Sequence, residues 1–181
     1  MSDFVEFPKI SRFSREVIVT EKIDGTNAQI VVSDDGKDIR TGSRNQWITP
    51  EKDNAGFARW AQEHKEELLR LGPGQHFGEW WGAGIQRRYD MKEKRFSLFN
   101  VSRWGDPATR PSCCHVVPVL WRGNMDDIRT DEILARLAKE GSVAAPGFMN
   151  PEGIVIFHVP SGALFKKTLD KNDESKWKAL L

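Results

Sequence analysis

Short apolar runs rich in β-branched and aromatic residues recur along this chain, separated by polar turn formers. They predict strands at about 16–22, 26–32, 38–43, 75–81, 96–101, 115–121, 152–159 and 162–168. Asp34-Asp35-Gly36 and Pro160-Ser161-Gly162 supply turns, the second closing a hairpin of the last two strands. Two segments carry helical spacing instead. Phe57, Trp60, Ala61, His64, Leu68 and Leu71 fall on one face, and Gly72-Pro73-Gly74 ends that helix. Thr130 can cap the second, Asp131 and Glu132 suit its first-turn dipole, and Ile133, Leu134, Leu137 and Ala138 form its buried stripe before Gly141. Residues 103–114 read as a surface loop with Pro107 and Pro111. With neither repeat nor linker, the pattern predicts one α+β domain over 1–181, antiparallel β-sheets with flanking helices.

Composition narrows the class. A 181-residue chain, 39% hydrophobic and 29% charged, suits a soluble globular domain with a substantial core. No apolar run approaches a membrane span, and the first twenty residues lack a signal peptide's apolar centre, so no membrane partner is expected. The two cysteines, Cys113 and Cys114, are adjacent and form no ordinary staple, so a cytoplasmic location is expected and a zinc site is not. The net charge of +1 says little, but Arg87, Arg88, Lys92, Lys94 and Arg95 crowd together beside Tyr89. Such a run can neutralise phosphates, with Arg87, Arg88 and Lys92 as nucleic-acid contacts. It can equally be a solvated loop paired with Asp90 and Glu93.

Candidate chemistry starts at Glu21-Lys22-Ile23-Asp24-Gly25-Thr26-Asn27, between two strand-like runs. A lysine at a strand end, with Asp-Gly turning the backbone after it, suits an amine held at a pocket edge. It becomes a nucleophile only on losing its proton, which burial or neighbouring cations favour. Four motifs follow: Phe77-Gly78-Glu79-Trp80-Trp81-Gly82, Phe96 to Val101, Pro151-Glu152-Gly153 and Leu164-Phe165-Lys166-Lys167-Thr168. Singly, Glu79 and Glu152 suit rim charges, Phe99 a core ring, and the lysine pair a solvated sheet edge. Together they supply a nucleophile, a base-stacking aromatic, carboxylates for a ribose hydroxyl and a divalent metal, and cations for a phosphate. Those are the parts of a nucleotidyl-transfer site.

In that order the motifs resemble the covalent nucleotidyltransferases: ATP-dependent RNA and DNA ligases and mRNA capping enzymes. Lys22-Ile23-Asp24-Gly25 looks like motif I, Phe77 to Gly82 like motif III, Phe96 to Val101 like motif IIIa, Glu152-Gly153 like motif IV and Lys166-Lys167 like motif V. Thr41-Gly42-Ser43-Arg44 looks like the motif between I and III. The resemblance implies a nucleotidyltransferase (ATP-grasp-like) ligase core using ATP and Mg²⁺ or Mn²⁺. By it, Lys22 takes AMP, Glu21 helps read adenine, Phe99 stacks on it, and Glu79 and Arg44 hold the ribose side. Asn27 and Glu152 order a metal or its water, and Lys166 with Lys167 meet the phosphate. Glu-Lys-Ile-x-Gly-Thr-Asn is similar to the nick-sealing phage RNA ligases, whereas DNA ligases and capping enzymes typically carry arginine at the position of Asn27.

The chain departs from that pattern in three ways. Asp24 stands where those RNA ligases usually have histidine, as in DNA ligases. Lys166 and Lys167 are adjacent rather than separated by one residue, so strand alternation points them to opposite faces, and Lys166 is the favoured contact. About a dozen residues follow Thr168, so neither an OB-fold nor another carboxy-terminal domain is expected, and a protein partner could replace one. The expected activity is RNA ligation through a lysyl-AMP, with nicked duplex or RNA/DNA hybrid, a tRNA break and a single-stranded end all open as substrates. The alternatives are a minimal DNA ligase core, a nucleic-acid-binding module without turnover, and a guanylyltransferase, which Asn27 disfavours.

Overall fold

The first two strands, β1 (Glu16–Lys22) and β2 (Thr26–Val32), are consecutive in sequence yet do not pair with each other. Ile23-Asp24-Gly25 instead carries the chain from one sheet to another. A side chain at Gly25 would put a Cβ 2.5 Å from the Trp80 carbonyl oxygen, so only glycine fits this crossing. This structure, a computed structural model, describes residues 4–170; the single-domain expectation over 1–181 extends past them at both ends.

The larger sheet takes β2 together with β3 (Ile39–Ser43), β4 (Trp47–Ile48), β5 (Gly74–Gly82), β6 (Lys94–Leu98) and β7 (Cys114–Val116), in the order β4-β3-β2-β5-β6-β7. The smaller sheet adds β8 (Val119–Asn124), β9 (Gly153–His158) and β10 (Ala163–Thr168) to β1, in the order β10-β9-β1-β8. Every pairing is antiparallel except β6 with β7, which is parallel. The strand expected at 115–121 is therefore two strands in two sheets. Val117-Pro118 divides them, and the Pro118 carbonyl accepts the Glu21 N–H at 2.9 Å. The segment expected as a strand at 96–101 ends at Leu98, and Val101–Trp104 forms a short helix, α3, capped by the Asn100 side chain.

The helix expected at 57–71 is broken at His64 into α1 (Phe57–Glu63), α2 (Lys65–Leu68) and a final 3₁₀ turn. His64 adopts a non-helical backbone, and its Nδ1 lies 2.8 Å from the Trp60 carbonyl oxygen. The apolar face survives the break: Phe57, Ala61, Leu68 and Leu71 are buried against Ala28, Ile30, Val32, Trp80 and Phe96. The second expected helix is α4 (Thr130–Glu140). Its Ile133, Leu134 and Leu137 pack on Val17, Val19, Ile154 and Ile156 of the smaller sheet, while Ala138 is exposed. Thr130 is the first helical residue rather than the cap, and no side chain caps this end. A third cluster, Ile23, Trp81, Tyr89, Val117 and Ala145, gathers the residues of both crossings.

Candidate active site

Strand alternation decides where Lys22 points. Val17 and Val19 face α4, so Ile18, Thr20 and Lys22 face the other way. Gly153 is the β9 partner of Lys22, and Glu152, just before it, accepts a hydrogen bond from Lys22 Nζ at 2.6 Å. A Cβ on Gly153 would lie 2.3 Å from the Lys167 carbonyl oxygen, so glycine is required where β9 enters between its neighbours.

Glu79 stands on the larger sheet beyond the crossing. Its Oε1 accepts the Gly25 N–H at 3.0 Å and its Oε2 accepts from Asn27 Nδ2 at 3.1 Å, across the Asn27–Glu79 register pair. Burial pushes this carboxyl up to about 7. The positive charge of Lys22 and the Gly25 N–H oppose that rise, and the negative charge of Glu152 adds to it. Lys22, Glu152, Glu79 and Asn27 thus form one electrostatic unit drawn from both sheets.

Glu21 lies behind this unit, 1% exposed. Its carboxylate accepts from the Ser142 hydroxyl at 2.6 Å and from the Val143 and Ala144 N–H groups at 2.8 and 2.9 Å. Burial raises its proton affinity and these donors oppose the rise. The side chain is occupied in tying the loop after α4 to β1.

Register also separates the two lysines of β10. Lys166 pairs with Val155, itself the partner of Thr20, so Lys166 shares the face of Lys22. Lys167 pairs with Ile154 and faces α4, where its Nζ donates to Asp131 at 2.6 Å. Arg44 is exposed in the β3–β4 turn, one residue beyond the Ala28–Ser43 pair and so level with Asn27. Phe99 lies in the bend after β6, 42% exposed, its N–H bonded to the Phe77 carbonyl.

The basic cluster divides. Arg87 is not a free phosphate contact: its Nε donates to Asp24 at 3.1 Å, its other nitrogens to Asn150 and Asp170. Lys94 Nζ donates to the Ala55 carbonyl, and Arg95 pairs with Glu93. Arg88 and Lys92 remain exposed. Sequence reasoning missed the side chains that hold the lysine turn. The hydroxyl of buried Tyr89 accepts the Asp24 N–H at 2.7 Å, and Asn54 Nδ2 donates to the Thr26 hydroxyl at 2.9 Å. Burial drives the Tyr89 phenol strongly upward, so it stays protonated. Nothing in spacing points to these partners; Tyr89 offered only the small signal of being the chain's one tyrosine.

Two sheets joined at a lysine turn, with carboxylates from each facing the amine, define a nucleotidyltransferase-type ligase core. The model of the RNA ligase family matches residues 15–168, and the chain belongs to that family. Three structures of a Naegleria gruberi RNA ligase variant series resemble it. A form with ATP and Mn aligns with TM-score 0.66 and 22% identity over 91% of this chain and 53% of that one. An apo form gives 0.65 and 22% over 92% and 52%. A form with AMP and Mn gives 0.61 and 22% over 86% and 50%. The chain spans about half the length of the Naegleria protein. No curated protein sequence matches it. Among the described residues, no helix is long and apolar enough to cross a membrane.

Proposed function

We propose that this chain is an ATP-dependent RNA ligase in which Lys22 carries AMP. The observation that carries the reading is the Lys22–Glu152 contact at 2.6 Å, opposite Glu79 and on the sheet face of Lys166. The Lys22 ammonium leaves Glu152 and gives up a proton to solvent water, and its nitrogen attacks the α-phosphorus of ATP. An N–P bond forms, the P–O bond to pyrophosphate breaks, and pyrophosphate departs. An oxygen of an RNA 5′-phosphate then displaces Lys22 to form a phosphoanhydride. A 3′-hydroxyl attacks that 5′-phosphate and releases AMP. Glu79 and Arg44 take the ribose side, Phe99 the adenine, and Lys166 the phosphate. Glu21 serves adenine recognition through its backbone carbonyl, because its carboxylate is engaged with residues 142–144 and its N–H with Pro118.

The site has hard oxygen donors suited to Mg²⁺ or Mn²⁺. Among the described residues no three His, Cys, Asp or Glu side chains gather as a ready-made cage. Glu152 would hold such an ion, and Asn27 would order its water, since this class of ion takes few direct protein ligands. Such an ion supplies charge neutralisation at the phosphate oxygens. The ligands of the Naegleria structures, ATP or AMP with Mn, support the same nucleotide and metal class here.

Incubation with α-labelled ATP or GTP and a divalent metal, followed by a denaturing gel, tests the reading. Label on the protein is expected from ATP and not appreciably from GTP, and none on Lys22→Ala. Label surviving that substitution, or a preference for GTP, overturns it. A folded Glu152→Ala protein should also lose labelling; normal labelling would return Glu152 to the role of a rim charge.

A further inference from the structure

The face of the larger sheet that carries Asn27 and Glu79 does not end at those residues. Strand pairing sets side chains in cross-strand rows, and each same-face row is two residues from the next. The catalytic row runs through Asn27, Glu79 and Ser97. The next row on that face comprises Trp47, Gly42, Gln29 and Phe77, joined pair by pair across β4, β3, β2 and β5. Phe99 extends it through its N–H bond to Phe77. The row after that holds Arg40, Val31 and Gln75.

The opposite face of these strands is packed under α1 and α2, but this one is open. Phe77 is 51% exposed and Trp47 42%, and both are large rings on regular strands. Between them the sheet surface is low: Gly42 has no side chain, and a Cβ there would meet the Gln29 amide at 2.9 Å. The Arg40 guanidinium lies over the Trp47 ring, 3.9 Å from its centroid. Among the described residues neither Arg40 nor Arg44 belongs to an ion pair.

We propose that this row is a platform for the RNA strand being joined: bases stack on Phe77 and Trp47, Gln29 offers its amide between them, and Arg40 meets a phosphate. The inference rests on the ligase reading above. Exposed rings interleaved with arginines suit single-stranded nucleic acid, because every base has a π-face and the backbone needs cations. Adjacent strands lie about 4.8 Å apart, so the three steps from β5 to β4 separate the two rings by roughly 14 Å. That leaves room for several nucleotides leading out from the catalytic row. A protein partner would favour a broader apolar face than two rings divided by a glycine, a glutamine and arginines.

The test uses the whole chain and a fluorescein-labelled single-stranded oligoribonucleotide, with affinity read by anisotropy across a salt series. Phe77→Ala and Trp47→Ala together should weaken RNA binding by about tenfold or more. Adenylation by ATP should stay within about twofold of the parent, since neither ring belongs to the nucleotide site. Trp47→Phe with Phe77→Tyr should restore affinity, which separates stacking from a fold defect in the short β4. Arg40→Gln should reduce the slope of log affinity against log salt by about 0.7, the value for one phosphate contact on a single strand. Unchanged RNA affinity in the folded double alanine variant overturns the platform, as does failure of the aromatic replacements to restore binding. Loss of self-adenylation by the parent protein would instead overturn the ligase reading, while RNA affinity still reports on the platform.

Discussion

The surroundings of Glu79 move its titration into the ordinary working pH range. Its folded-state value is about 7 against an ordinary 4.5, so between those limits the folded state binds more protons than the unfolded one. Stability then falls as pH rises through that window: the contribution is fully present below about 4.5 and lost above about 7. The shift corresponds to roughly 3 kcal/mol at most. Glu79→Gln cannot titrate, so its Tm should gain on that of the parent as pH rises from about 4.5 to 7. A Tm difference constant across the window would show that Glu79 titrates as an ordinary carboxylate. Lys166 and Lys167 make the second residue-scale comparison. Lys166→Ala should reduce adenylation on the order of a hundredfold, as expected for removing a donor to a transferring phosphoryl group. Lys167 pairs with exposed Asp131 on the helix side, so Lys167→Ala should leave adenylation nearly intact and change stability by under about 1 kcal/mol. Equal losses in both variants would mean that alternation does not govern this end of β10.

At the scale of elements, the loop between β5 and β6 holds the lysine turn. Gln86, Arg88, Tyr89 and Asp90 all have positive φ, an uncommon cluster for non-glycine residues. Tertiary bonds hold that conformation: Tyr89 packs edge-on to Trp81 and against Phe148, and Arg87 joins Asp24, Asn150 and Asp170. Arg87 therefore braces the turn after Lys22. Arg87→Lys offers one compact charge where the planar fork reaches three residues. It should slow adenylation by about ten- to hundredfold through misplacement of Lys22, while the salt slope of RNA binding stays unchanged. A reduced salt slope with normal adenylation would return Arg87 to the phosphate-contact role. Glu21 does comparable work on the other side, where its carboxylate ends the loop after α4.

At the scale of the whole molecule, the proposed ligase reading raises the choice of polynucleotide. On that reading, exposed Arg88 and Lys92 and the open face of the larger sheet would supply affinity that does not distinguish ribose from deoxyribose. Discrimination must then arise from 2′-hydroxyls where strand ends meet the site. Pre-adenylated protein should seal nicks with ribonucleotides on the 3′-hydroxyl side faster than all-DNA nicks. Neutralising Arg88 and Lys92 together should slow both alike. Equal rates on both substrates for the unmodified protein would favour a DNA ligase core, the direction in which Asp24 leans.

Local pattern determined much of this protein. β1, β2, β9 and β10 lie within a residue or two of where β-branched runs and turn residues place them, and α4 follows its apolar stripe. The ordered motifs marked Lys22, Glu79 and Glu152 as candidates, two on strands and one just before a strand, each within three residues of a glycine. Alternation, a property of any strand, separated Lys166 from Lys167 before any coordinates. Only the tertiary structure decided the rest. That β1 and β2 belong to different sheets, that one apparent strand at 115–121 is two, and that Arg87 turns inward to Asp24 all depend on contacts between residues far apart in sequence. Arg87 and Asp170 are an example: they bond across 83 positions. Hydrophobic period records which face of an element is buried, but not which other element buries it. A buried polar group must find a partner, and the sequence does not say where that partner lies.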